Sequence, residues 1–172
     1  MTVRQVVLTG TLLVTAAILQ VTVVNPLDLP GGGPDLVLLV LIPLAMVQGP
    51  MSGAVTGFCA GLLVDLVPPA AGHVGSWALV LCVTGFQAGQ FRFDSRRSAL
   101  RTLGVVAGLS AFVVLAHAGV ALLFGEAEVE GHELVSVTVG TVLYDLLLAP
   151  FVVPPVMGLA RRAEPDPSRL AL

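Results

Sequence analysis

Residues 49–65 read Gly49-Pro50-Met51-Ser52-Gly53-Ala54-Val55-Thr56-Gly57-Phe58-Cys59-Ala60-Gly61-Leu62-Leu63-Val64-Asp65. A glycine falls at every fourth position from Gly49 to Gly61, and the next rung of that ladder is a carboxylate, Asp65. Residues four apart stay on one slowly drifting stripe of an α-helix. In water each interior glycine costs about 1 kcal/mol relative to alanine, but in lipid small residues let two backbones approach and gain dispersion contacts. The stretch therefore predicts a membrane helix whose packing seam is built from Gly53, Gly57 and Gly61. The alternative is that the spacing reflects composition, because glycine supplies 19 of 172 residues.

Composition sets the class around this helix. The chain is 56% hydrophobic and 11% charged, with a mean hydropathy of +0.97, whereas a soluble domain carries roughly a quarter charged residues. An all-α integral membrane protein follows. No polar stretch is long enough for a soluble module, so residues 1–160 form one membrane domain and 161–172 a short tail. Cys59 and Cys82 both fall in apolar segments, which predicts two buried free thiols rather than a disulfide or metal site.

Residues 5–24 are long enough to cross a hydrocarbon core of about 30 Å. They read as a retained first helix, since no small-x-small cleavage site precedes Asn25-Pro26. Residues 25–34, with Gly31-Gly32-Gly33, form a loop, and Asp35 is placed to accept from the first N–H groups of the next helix. The block 36–67 is either one tilted span or two short ones parted at Gln48-Gly49-Pro50. Charge decides between them. All eight basic residues are arginines: Arg4, then Arg92, Arg96, Arg97 and Arg101, then Arg161, Arg162 and Arg169. Only two spans place these three groups on one face of the membrane and the acidic loop 126–133 on the other, as the positive-inside rule requires. The second span is then about 14 residues, or about 21 Å, and needs local thinning or protein cover.

A fourth span, 74–91, carries Gly85 and Gly89, again four apart. In an antiparallel hairpin these lie at the depths of Gly57 and Gly53, which predicts close packing of the third and fourth spans. The basic segment 92–101 borders two spans, so its contacts are lipid headgroups rather than nucleic acid. The fifth span, 99–124, contains Gly104, Gly108 and His117; the sixth, 134–160, contains Asp145 and then Pro150, Pro154 and Pro155. Both termini and residues 92–98 are expected in the cytoplasm, with 25–34, 68–73 and 125–133 outside.

Three polar groups fall inside this scheme. Asp145 is near the middle of its span, where an ionisable group costs at least about 2.5 kcal/mol, so it is a candidate functional residue. Asp65 lies near the outer end of its helix and is either solvated or functional. His117 and Asp145 differ in depth by about 6 Å at helical rise, which leaves open a buried His–Asp pair or a neutral histidine bonded to a backbone carbonyl. An aspartyl dyad of Asp65 and Asp145 would need a Tyr-Asp paired with Gly-x-Gly-Asp, and the second spelling is absent. No Ser-His arrangement, zinc motif or phosphate-cradling loop is present either, so no catalytic, cofactor or metal site is expected. Two readings remain: a scaffold for other membrane proteins, and a small-molecule transporter subunit whose cavity is walled by the short second span.

The chain resembles the rod shape-determining protein MreD family. The resemblance lies in Pro34-Asp35 opening the second span, Gly57-Phe58-Cys59-Ala60-Gly61-Leu62-Leu63-Val64-Asp65 in the third, Gly75 opening the fourth, and Leu143-Tyr144-Asp145-Leu146-Leu147-Leu148-Ala149-Pro150 in the sixth. It covers nearly the whole chain. At Asp145 the chain departs from the pattern, in which similar proteins carry an amide or apolar residue. The resemblance implies a multi-pass protein of the bacterial cell membrane with no catalytic activity. Its six transmembrane helices would be arranged like the substrate-binding S components of ECF-type vitamin transporters. It further implies a bitopic MreC-like partner, acting with RodA, a class B penicillin-binding protein and the actin-like MreB in lateral peptidoglycan synthesis by the elongation complex.

Overall fold

The computed structural model describes residues 3–27, 29–66, 75–92, 99–125 and 131–163. The expected outer loop 68–73, Arg96 and Arg97, acidic residues 126–130 and the tail from 164 lie outside these. Six α-helices account for the described chain: α1 Val3–Leu19, α2 Leu36–Gln48, α3 Pro50–Leu66, α4 Ser76–Gln90, α5 Ala99–Leu123 and α6 Gly131–Ala163. Among the described residues there is no strand. A π-turn, Gln20–Val24, and a 3-10 turn, Asn25–Leu27, prolong α1. α6 runs through its prolines and past the expected end at Ala160, taking in Arg161 and Arg162.

Three segments are long and apolar enough to cross a membrane: Val3–Leu27, Leu100–Leu123 and Leu134–Ala163. The other helices are shorter, and α2 is the axis about which the rest assemble. Its sequence is apolar on every face, and each residue from Val37 to Val47 is buried. A helix with no polar face must be surrounded by apolar atoms. At 13 residues, or about 20 Å, α2 cannot span a core of about 30 Å. Of the two remedies expected for a short second span, protein cover is the one observed: α1, α3, α4 and α6 all pack against it.

The chain leaves α2 through one residue. Gly49 adopts φ +93°, a conformation open to glycine and costly for other residues. Its N–H bonds the Ala45 carbonyl, and Pro50 then opens α3. Proline suits a first helical position because the N–H it lacks has no intrahelical partner there. The apolar block 36–67 is thus two helices, as the charge pattern requires.

Contacts along the helices orient the bundle. Gln48 meets Thr9, so α1 and α2 run in opposite directions. Gly53 faces Gly85 and Gly61 faces Ala78, so α3 and α4 are antiparallel. The segment from Gly31 to Asp35 descends beside Gly140 to Asp145, so α2 continues in the same direction as α6. Arg92 lies beside Gly49, and Arg101 shares a cleft with Met46 and Phe91. The described arginines, Arg4, Arg92, Arg101, Arg161 and Arg162, consequently gather at one end of the bundle.

Candidate intramembrane interaction site

The α3–α4 hairpin is the most extensively packed helix pair. Gly53 lies on the backbone of Gly85, Gly57 on the carbonyl of Leu81, and Gly61 on the backbone of Trp77 and Ala78. A methyl group added at any of them collides with main-chain atoms, which cannot swing aside as the end of a side chain does. On the facing helix Gly85 lies on Gly53, and Gly89 lies on Gly49 and Pro50. This register is one helical turn away from the expected one, in which Gly85 faced Gly57 and Gly89 faced Gly53. A slip of one turn moves each glycine to the next rung of the same ladder, so the spacing alone is compatible with either. Gly104 and Gly108 share the spacing but not the role, since an added Cβ would meet nothing within 4 Å.

Asp65 closes the end of this hairpin that lies away from the arginines. It is buried, and its Oδ2 accepts the backbone N–H groups of Gly75 at 2.9 Å and Ala78 at 3.2 Å. The first N–H groups of any helix lack intrahelical acceptors. The residue preceding α4 is Gly75, which has no side chain to supply one. A carboxylate from α3 does so instead and places negative charge at the positive end of the helix dipole. Of the two readings left open for Asp65, the solvated carboxylate is not the one observed.

Asp145 organises a second tie. It is fully buried on α6; Oδ1 accepts the backbone N–H of Asp35 at 2.8 Å, and Oδ2 accepts the Ser110 hydroxyl of α5 at 2.6 Å. His117 instead stacks on Trp77, with ring centroids 4.3 Å apart and planes inclined by 26°. The pairing considered for His117 and Asp145 is replaced by these two arrangements. Ser110 and His117 lie two turns apart on α5, about 10 Å at helical rise, and it is Ser110 that reaches the depth of Asp145.

The start of α2 explains why Asp145 is needed. α2 begins beside the middle of α6, about 21 Å along from Gly131 at helical rise. Its first N–H groups lack intrahelical acceptors, and side chains supply them. Asp145 takes the N–H of Asp35, Gln20 Oε1 takes that of Leu36 at 2.8 Å, and Asp35 Oδ1 takes that of Leu38 at 2.9 Å. Gln20 also donates from Nε2 to the Pro34 carbonyl at 3.0 Å. The preceding loop reaches this depth because Gly140 has no side chain; one there would strike the Gly31 carbonyl. At the arginine end a third tie joins α1, α2 and α3: Gln48 Nε2 donates to Thr9 Oγ1 at 2.8 Å, and Thr56 Oγ1 donates to Gln48 Oε1 at 3.1 Å.

Sequence reading missed Gln20, Gln48, Ser110 and Gly140. The two amides carried a signal, being uncharged hydrogen-bonding groups in apolar blocks. Ser110 and Gly140 looked like ordinary small residues of membrane helices. Cys59 is exposed and Cys82 only partly covered, which corrects the expectation that both thiols are buried. Among the described residues no group of three or more His, Cys, Asp or Glu is placed to hold a metal ion. Asp65 and Asp145 each accept at the start of another helix, and Asp35 caps the start of its own.

These ties hold six helices within residues 3–163, and the family model for the rod shape-determining protein MreD matches residues 1–163. The chain belongs to the MreD family. MreD is a shape-determining membrane protein of the MreBCD system, and membership assigns this chain a role in rod shape determination. MreD is not a known enzyme family. Comparison with curated proteins and with solved structures gave no match.

Proposed function

We propose that this chain is a non-enzymatic scaffold of the bacterial elongation complex, a single membrane domain that holds an MreC-like bitopic protein. Through that partner it would act with RodA, a class B penicillin-binding protein and MreB in lateral peptidoglycan synthesis. Both termini lie in the cytoplasm in this reading, and the six helices adopt an S-component-like arrangement without a transported substrate. The observation that carries it is the use made of the intramembrane carboxylates. Asp65 and Asp145 each accept backbone N–H groups at the start of another segment, a use that stabilises a rigid bundle. The outer faces remain apolar, with Val6, Val14 and Ile18 exposed on α1 and Val139, Leu143 and Leu147 exposed on α6. Association within a bilayer draws on such faces through helix packing.

Co-expression with an MreC-like protein tests this. Purification through a tag on either chain in mild detergent should recover both, and the complex should persist in high salt, because packing in lipid is not screened as surface charge is. Recovery with an ATPase and coupling subunit, or with a bound vitamin, overturns the scaffold reading in favour of a transporter subunit.

A further inference from the structure

α6 contains Pro150, Pro154 and Pro155 and stays helical through all of them. A proline inside a helix lacks the N–H that would bond the carbonyl four residues earlier, and its ring presses that carbonyl aside. The adjacent pair makes the loss hard to repair within the helix. Four and five residues after Pro150 come Pro154 and Pro155, and the same two rings lie three and four residues after Phe151. A wider turn therefore gives the Pro150 carbonyl no donor, and a tighter one gives none to that of Phe151. No side chain among the described residues donates to either.

Both acceptors lie on the outer surface at mid-membrane. Pro150, Pro154 and Pro155 are exposed, and Phe151 is 75% exposed. With Arg161 at the membrane surface, Phe151 lies about 15 Å from it at helical rise, half of a core of about 30 Å. Lipid tails carry no hydrogen-bond donor, and water is excluded at that depth. A side chain of a neighbouring helix is the remaining source, and such bonds join membrane helices elsewhere. Leu143 and Leu147, exposed on the preceding turns, supply the apolar surface on which such a helix packs.

We infer that this face of α6 seats the transmembrane helix of a partner, which packs on Leu147 and Phe151 and donates from a Ser, Thr, Asn or Gln side chain to the carbonyl of Pro150 or Phe151. The inference rests on the scaffold reading and adds a place and a chemistry to it: the free carbonyls favour a donor-bearing helix over a wholly apolar one, and over lipid.

The full chain is co-expressed with an MreC-like protein. In a background of Cys59→Ala and Cys82→Ala, Leu147→Cys or Phe151→Cys should cross-link to single cysteines placed along the partner's transmembrane helix. Leu79→Cys, exposed on α4, should not. The double variant Pro154→Ala, Pro155→Ala restores both N–H groups. Alone in detergent it should melt at or above the temperature of the parent, yet bind the partner about fivefold more weakly, the effect of one hydrogen bond between membrane helices. Alanine at the donor of the partner helix should cost the same factor against the parent and nothing further against the double variant, because a contact already lost cannot be lost again. Co-purification without cross-links to α6, or unchanged affinity in the double variant, overturns the inference and leaves the scaffold reading standing. Failure of the parent to co-purify removes both. Cross-linking of Phe151→Cys to a second copy of this chain makes the face a homodimer interface and also overturns the inference.

Discussion

The N–H of Asp35 donates to Oδ1 of Asp145 across 2.8 Å, joining residues 110 positions apart in sequence. The bond allows a helix to start far inside the bundle with its first donor satisfied, and Ser110 occupies the other carboxylate oxygen. An amide at position 145 can reproduce both contacts: its oxygen accepts from Asp35, and its NH₂ donates to the Ser110 hydroxyl. Asp145→Asn should therefore fold, accumulate and complement a null strain almost fully. Asp145→Leu should lower stability by about 1 to 3 kcal/mol for each donor left without an acceptor, read as a lower melting temperature in detergent and poor complementation. Failure of the Asn variant at normal protein levels would assign the negative charge itself a function.

Gly57 and Gly104 obey the same spacing rule and should respond oppositely to substitution. Gly57→Ala drives a methyl into the Leu81 carbonyl, and Gly57→Leu should cost at least the roughly 1 to 3 kcal/mol of ordinary overpacking. Gly104→Ala meets open space and should be neutral or stabilising by up to about 1 kcal/mol through helix propensity. Leu62→Ala, off the seam, should cost less than Gly57→Leu. Thermal unfolding of the four variants in one detergent gives the ranking.

Asp65→Ala removes the acceptor for the Gly75 and Ala78 N–H groups. Loss of a helix cap typically costs about 0.5 to 2 kcal/mol, and the penalty should lie at the upper end here because the groups are shielded from water. Asp65→Asn retains an acceptor oxygen and should recover most of the loss. Hydrogen exchange should show faster exchange at the start of α4 in the alanine variant, with the start of α2 unchanged.

Gln20→Leu tests the remaining tie at the head of α2. It strands the Leu36 N–H and the Pro34 carbonyl and should cost about 1 to 3 kcal/mol. Gln20→Glu keeps the acceptor but loses the donor to Pro34, and should fall between Gln20→Leu and the parent in the same melting assay.

Topology is tested by reporter fusions. A fusion after Arg97 should report a cytoplasmic position and one within residues 126–130 an extracytoplasmic one, because that arrangement puts every arginine inside. An extracytoplasmic signal after Arg97 would contradict the proposed orientation.

Much of the bundle was legible from composition and punctuation. Gln48-Gly49-Pro50 announces a helix end and a helix start through local backbone chemistry. The arginine groups then require a reversal at that point, and α2 and α3 divide there. The glycine ladder identifies the face of α3 that meets another helix, because four-residue spacing is a property of one helix alone. The ladder could not supply the register of α3 against α4, since rungs four residues apart look alike after a slip of one turn. Nor could it distinguish Gly53 from Gly108: whether a missing side chain admits a neighbour or leaves a cleft depends on the helix opposite.

The primary structure was sufficient for quantities that accumulate along the chain: membrane class from summed hydropathy, helix number from breaks, and the clustering of arginines from their order. The partners of Asp35, Asp65, Asp145 and Gln20 depended on assembly. Each hydrogen bond spans about 3 Å and changes acceptor with a shift of one turn, about 5.4 Å along a helix. Depth estimated from segment ends carries an error of that same size, so Ser110 rather than His117 became the partner of Asp145. Packing of α2 inside the other helices fixed those last few ångströms, because a short apolar helix can begin at such depth only where several side chains converge on its unpaired N–H groups.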